Sequence, residues 1–369
     1  MNVLSCQATS RLVNSRVFAT SRQRFAGHCG GKPRLPTPTR NAARSLSSRS
    51  LRVPATNTCH CASEAWDPEH ENLDIERDKP IAGAITRHYR HVLIHTGTTD
   101  WPKRIEDMSS TAGMLKSLVS AGSALADPLS PILVTNSSWP TPPESEQGGS
   151  GTVTMSLFPE AIEVCSIPNS MDGLKSFATS FLLHPSSEYH TPHGNERDPA
   201  FTIKNITKPV ILTCSHGSRD MRCGILGPAI IKAFAEALEK QSPDNRIDAI
   251  LGEISHIGGH KYAGNVIIHL PGDHELAKMI NKAPTAFSPL SDTVSGTTSG
   301  TQAGVVDTSG RSVAIWYGRV LPGHAESLLD TTVRKGKVVK ELLRGIANSD
   351  GDLIDLKAAG LQNTLLGSK

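Results

Sequence analysis

Apolar positions along this chain fall into two kinds of run. Short continuous apolar runs closed by turn residues read as buried strands: HVLIHTG at 91–97, PILVTN at 131–136 and VTMSLFP at 153–159. KPVILTC at 208–214, RIDAILGEIS at 246–255, NVIIHLP at 265–271 and SVAIWYGRV at 312–320 continue the series. Between them apolar residues recur at helical spacing. One such stretch covers 103–121, with Ile105, Met108, Met114, Leu115 and Leu118. A second begins at Gly224 in GILGPAIIKAFAEALEKQ, with Pro228 expected in its first turn and Ile230, Ile231, Phe234, Ala237 and Leu238 on its buried face. A third, KVVKELLRGI at 337–346, is expected to close the fold as a helix.

Alternating strands and helices predict an α/β protein. Ordered structure is expected to begin after Pro80, with an N-terminal α/β lobe at 80–205 and a second domain at 206–369. The second domain runs strand, helix, strand, strand, strand, helix, an order that resembles a trimmed thioredoxin-like core. TPPESEQGGSG at 141–151 reads as a flexible loop, and the Ser/Thr/Gly-rich stretch at 286–311 as a flexible insert.

Charge separates off a leader. Residues 1–63 hold ten Arg or Lys and no acid, whereas the remainder carries 28 basic and 35 acidic side chains. A basic, acid-free, Ser- and Ala-rich N-terminus has the composition of a mitochondrial transit peptide. The mildly acidic remainder offers no nucleic-acid surface. No apolar run reaches the roughly 18 residues that span a bilayer. Of seven cysteines, Cys6, Cys29, Cys59 and Cys61 lie in the leader. Cys165, Cys214 and Cys223 remain, a poor disulfide framework.

Candidate chemistry concentrates in two pairs. Cys214 and Cys223 have eight residues between them, His256 and His260 have three, and 32 residues separate the pairs. Each pair follows a predicted strand end, and loops at one end of a sheet sit close in space, so the topology can join them. Two thiols and two imidazoles could hold a structural zinc, a mononuclear redox metal or a [2Fe–2S] cluster. Structural zinc sites usually leave roughly two to four residues between cysteines drawn from one tight knuckle. Eight make a longer loop, suited to wrapping an extended cluster. Gly258 and Gly259, inside the histidine pair, would allow backbone N–H groups to approach a cluster sulfide or adopt positive φ.

The C-x8-C pair, the HIGGH run and WYGR at 316–319 resemble the sucrase/ferredoxin-like family of thioredoxin-like [2Fe–2S] proteins, and the leader resembles its altered-inheritance-of-mitochondria branch. The match is strong over 205–346 and weaker over 80–200, where HVLIHTG and DWP are the recognisable pieces. The resemblance implies a thioredoxin-like ferredoxin domain behind a smaller α/β lobe, with Cys214, Cys223, His256 and His260 as ligands of a [2Fe–2S] cluster and Gly258 and Gly259 beside it. It implies a protein of the mitochondrion, in the matrix, that carries single electrons, with a part in redox quality control, rather than converting a substrate. Its partners would be a redox protein of unknown identity and the mitochondrial iron–sulfur assembly machinery, with no nucleic acid and no membrane span.

Blander readings attach to the neighbours. His216 is expected to face solvent, and Arg219, Arg222 and Lys261 to be exposed charges. His269 and His324 read as ordinary, Cys165 as a buried apolar thiol, and Trp316 and Tyr317 as core. Two other functions fit the same four residues: a zinc-stabilised interaction module, and a thiol redox factor cycling Cys214 and Cys223. Thiol exchange of the thioredoxin type normally places its cysteines about two residues apart at a helix start.

Overall fold

The computed structural model of the chain describes residues 73–128, 130–141, 151–183, 201–283 and 310–355. The leader, most of the 141–151 loop and most of the 286–311 insert lie outside the described residues. The described residues belong to one compact unit, Ala55–Lys369.

One mixed sheet of ten strands runs through the unit. Its first five strands are β1 (Arg90–His95), β2 (Ile132–Ser137), β3 (Thr152–Phe158), β4 (Ile162–Pro168) and β5 (Thr202–Asn205). The other five are β6 (Val210–Cys214), β7 (Ile250–Ile254), β8 (Val266–Leu270), β9 (Val313–Tyr317) and β10 (Leu343–Ala347). Among the described residues the sheet is joined by α-helices α1 (Thr111–Val119), α2 (Met171–Phe181), α3 (Met221–Glu239), α4 (Glu275–Asn281) and the short α5 (Ala325–Leu328). A π turn at Leu329–Arg334 extends α5.

The spatial order is β10-β9-β8-β6-β7-β2-β1-β3-β4-β5. Both halves repeat one pattern. Strands β1 and β2 are parallel and joined through α1, β3 is antiparallel to β1, and β4 is antiparallel to β3. Likewise β6 and β7 are parallel and joined through α3, β8 is antiparallel to β6, and β9 is antiparallel to β8. This is the thioredoxin-like strand order, present twice and mirrored about the β2/β7 seam. The seam is short: Ser137 opposes Ile254, flanked by Ser138 N–H to Glu253 O and Ser255 N–H to Asn136 O, both at 2.9 Å. The hydroxyls of Ser255 and Ser138 each accept one further N–H across it, from Asn136 and Glu253. The strand ends of both halves therefore meet, and so do the loops that follow them.

Strand residues alternate between the two faces of the sheet, both of them buried, which is why the runs read as continuously apolar. Val92, Ile94, Met155 and Leu157 pack beneath α1 and α2 with Leu115 and Phe177. Ile211, Ile268 and Ile315 pack beneath α3 and α4 with Phe234, Leu226 and Ile280. The alternate residues Leu93, Phe158, Leu212, Ile267 and Trp316 form a third core, which also takes in Cys214 and Cys223. Strands β3 and β8 are five steps apart in the sheet, about 24 Å if it were flat. Yet the rings of Phe158 and His269 stack at 3.9 Å. The sheet therefore curls until its helix-free face closes on itself.

Several elements differ from the sequence reading. The expected closing helix at 337–346 is instead a turn at Lys340–Leu342 followed by β10, which pairs with the open edge of β9. KVVKELLRGI has helical spacing, but β9 supplies backbone partners that only the tertiary fold makes available. The stretch 103–121 is helical only over Thr111–Val119, because Ser110 caps α1 by accepting the Gly113 N–H at 2.9 Å. Pro228 lies inside α3 rather than in its first turn, since Asp220 starts that helix at Met221. Strand β4 and helix α2 are not among the elements expected from the sequence, although Leu174, Phe177, Ala178 and Phe181 carry a helical period behind a Ser170 cap. Packed structure also precedes Pro80: Ile75 is buried, and Arg319 holds this strap through bonds to Glu76 O and Lys79 O, both 2.7 Å.

Candidate metal centre

Cys214 ends β6, where its N–H donates to Asn265 O at 2.9 Å. The chain turns through residues 215–220 and enters α3. The Asp220 carboxylate accepts the Arg222 N–H at 3.0 Å and grips the Arg222 guanidinium through Nε and Nη2 at 2.9 and 2.8 Å. Cys223 thus falls in the first helical turn, where its own N–H donates to Asp220 O at 3.0 Å. Both thiols are reduced and 1% exposed. Cys214 is pushed well below the ordinary thiol range, chiefly by a hydrogen bond from Cys223 and then by the His256 ring, against the opposing effect of burial. Cys223 is raised, first because it holds that shared proton and then by burial.

Gly217 and Gly224 make this return of the chain possible. A Cβ on Gly224 would stand 2.5 Å from Gly217 Cα, a backbone contact with nowhere to move. Helix propensity favours Gly224→Ala by about 1 kcal/mol. Overpacking is expected to win, for a net loss of about 2 kcal/mol, read as a lower urea midpoint. A midpoint at or above the wild-type value would show that the cysteine loop does not depend on this contact.

The histidine pair sits on the loop after β7. Gly258 and Gly259 both take positive φ, 80° and 72°, and lead into a turn at His260–Tyr262. His256 is half-buried and His260 exposed. Their rings lie 5.2 Å apart, tilted by 42°. His256 Nδ1 is buried with no hydrogen-bond partner, so a ring lone pair or N–H there has no use within the protein. His260 is lowered from its ordinary range, chiefly by burial, with Asp220 opposing. The four residues therefore come together as a buried thiol pair in contact with His256, and a second imidazole on the solvent side. This donor set fits a group that takes thiolate at one end and neutral imidazole at the other. Among the described residues, no set of three or more His, Cys, Asp or Glu side chains closes around a single point.

His216 corrects the sequence reading, being 2% exposed rather than solvated. Its Nε2–H faces Trp101 O and Pro102 O, each at 3.0 Å, and its Nδ1 accepts the His256 backbone N–H at 3.2 Å. The loop after β1 thereby reaches across the seam. Asp100 extends the same contact by accepting from Ser218 Oγ at 2.7 Å and Ser218 N–H at 3.2 Å. DWP thus has a structural role: it closes the cysteine loop from the other half of the fold.

Arg344 is a further residue of the site, one that no sequence motif marks. It sits on β10 beneath the histidine loop, 1% exposed. Its guanidinium donates to Asn265 Oδ1 at 2.7 Å, to Ala84 O, and to Gly258 O at 3.4 Å. A Cβ on Gly259 would run into that guanidinium, so the second glycine is required by Arg344 as well as by φ. The remaining candidates are structural. Cys165 donates to Glu163 at 3.3 Å and its thiol is raised, chiefly by burial. His324 Nδ1 accepts from Leu321 N–H. Trp316 and Tyr317 are fully buried. Arg219 and Lys261 are exposed as expected, while Arg222 is held by Asp220 and also donates to Asp74 O.

Among the described residues no helix is long and apolar enough to cross a membrane. No solved structure matches the chain significantly. A protein of Debaryomyces hansenii named "Altered inheritance of mitochondria protein 32" is 25% identical over 327 residues, covering 83% of this chain and 99% of the relative. Its namesake in Meyerozyma guilliermondii is 25% identical over 301 residues, 76% of this chain and 88% of the relative. In Saccharomyces cerevisiae the namesake is 35% identical over a shorter stretch of 134 residues, 36% of this chain and 31% of the relative. Residues 81–345, well over half of the chain, match the Sucrase/ferredoxin-like profile, so the chain belongs to the sucrase/ferredoxin-like family.

Proposed function

We propose that this chain is a mitochondrial redox protein in which Cys214 and Cys223 hold one iron, and His256 and His260 the other iron, of a [2Fe–2S] cluster. One observation carries the reading: two thiols in contact, one favouring the thiolate, stand beside an imidazole whose buried Nδ1 has no protein partner. Such a cluster supplies one-electron redox chemistry, with the imidazole end at higher potential than an all-thiolate centre.

The protein's own parts would divide the work. Burial keeps the cysteine end dry, while the hydrogen bond from Cys223, the His256 ring and the positive end of α3 favour thiolate at Cys214 against it. His216 fixes the His256 backbone and, through Trp101 and Pro102, ties it to the first half of the fold. His260, exposed, is the route by which an electron would reach a partner protein. The basic leader and the names of the relatives support a place in the mitochondrion, with a matrix location, removal of the leader, and loading by the iron–sulfur assembly machinery as parts of this proposal.

The deciding measurement is the visible spectrum of anaerobically purified protein, with iron and acid-labile sulfide counted per chain. The expected result is a coloured protein with two of each. His256→Cys and His260→Cys are each expected to retain a cluster with a shifted spectrum. One zinc and no sulfide would overturn the proposal in favour of a zinc-stabilised module. A colourless, metal-free protein with a reversible Cys214–Cys223 disulfide would favour a thiol redox factor.

A further inference from the structure

Among the described residues Arg344 is the largest fully buried side chain apart from Trp316. Among the described residues no carboxylate lies within ion-pair distance of it. Its acceptors are neutral: Ala84 O, Gly258 O and the Asn265 side chain. The faces of Tyr262 and Trp316 supply the rest of its surroundings, with ring centroids 5.9 and 5.8 Å from the guanidinium carbon. Burying a charge without a counter-charge is costly, and native proteins do so where a second charge arrives or a function needs it. A guanidinium stays protonated even when buried. The charge is also aimed. It bonds the Gly258 carbonyl and lies against Gly259, both between His256 and His260, and its field reaches the Cys214 and Cys223 thiols.

We infer that Arg344 is the fixed positive charge that raises the reduction potential of the centre held by Cys214, Cys223, His256 and His260. This rests on the [2Fe–2S] reading above. The formal charges supply the reason. Two ferric irons, two sulfides and two thiolates, with neutral imidazoles, carry no net charge. One electron, delivered in the test by dithionite, leaves a single negative charge and breaks no bond. A cation fixed in a low-dielectric interior stabilises the reduced form more than the oxidised one. Arg344 is thus a positioning residue: it touches no reacting atom, and shapes the histidine loop and its field from beneath.

Arg344→Gln removes the charge and keeps much of the hydrogen bonding. Asn265→Asp leaves Arg344 in place and sets a carboxylate at the 2.7 Å contact, neutralising it without a cavity. Iron and sulfide are counted first in the wild-type protein; their absence would overturn the cluster reading and this inference together. With the cluster present, potentials are read by titrating the visible spectrum with dithionite in the presence of mediators. The expected result is a downward shift of the midpoint in both variants with the oxidised spectrum retained. An unchanged midpoint in Asn265→Asp would overturn the inference alone, leaving Arg344 a purely structural group, even if Arg344→Gln failed to fold.

Discussion

Glu160→Gln is expected to destabilise the protein by about 3 kcal/mol, the lower end of what breaking a buried ion pair costs. Glu160 Oε1 accepts from Arg90 Nε at 2.7 Å and from Arg311 Nη2 at 2.9 Å, and all three side chains are at most 16% exposed. Arg90 belongs to β1 and Arg311 precedes β9, so one carboxylate fastens the two halves on the closed side of the curled sheet. The amide keeps the shape of Glu160 and loses its charge. Arg311 retains Asp350 at 3.5 Å, which softens the loss. Among the described residues Arg90 then retains the carbonyls of Leu182 and Leu183 and the face of Tyr89. The measurement is urea unfolding followed by circular dichroism. Arg90→Met combined with Glu160→Leu should recover much of the stability, because it removes the stranded charge. A loss below about 1 kcal/mol in Glu160→Gln, as for a surface pair, would show that water reaches this cluster.

Acid is expected to unfold the protein through its buried histidines. His269 stacks on Phe158, and neither of its ring nitrogens has a partner. Burial, reinforced by nearby His88, holds it at about 3, against an ordinary value of 6.5. His91, 6.2 Å away, is lowered well below its ordinary range by burial and by His88 and His269. The folded imidazoles stay neutral while the unfolded ones take up protons below about pH 6.5, so unfolding gains protons and stability falls with pH. The stability is complete above the unfolded value and is lost towards the folded one. For His269 alone, two pH units at about 1.4 kcal/mol each make a loss of about 3 kcal/mol by pH 4.5. His269→Phe keeps the stack and discards both unpartnered nitrogens. It should match or exceed wild-type stability at pH 7 and lose about 3 kcal/mol less than wild type on going to pH 4.5. Parallel pH dependences in the two proteins would show that His269 is protonated, or hydrated, inside the fold.

These histidines also show where the sequence stopped being readable. HVLIH and VIIHL announced strands, and their continuous apolarity announced burial on two faces. Nothing in either run says that His91 and His269 come from opposite halves of a curled sheet and meet. A histidine in a polar loop is expected in solvent, yet His216 is buried. Its burial depends on Trp101 and Pro102, more than 110 residues earlier in the chain.

What the sequence by itself determined was local and periodic. Apolar runs set the strands, the recurrence of Ile230 and Phe234 set α3, and the spacings of Cys214, Cys223, His256 and His260 marked the candidate centre together with its family. Those features depend on residues a few positions apart, so one chain suffices to read them. The tertiary structure decided how the two halves meet at the β2/β7 seam, why DWP closes the cysteine loop, and that KVVKELLRGI becomes a strand carrying a buried Arg344. Each of these is a contact over long sequence separation. There the free energy of pairing an open strand edge, or of burying a charge among carbonyls and aromatic faces, outweighs a local preference of a few tenths of a kcal/mol per residue.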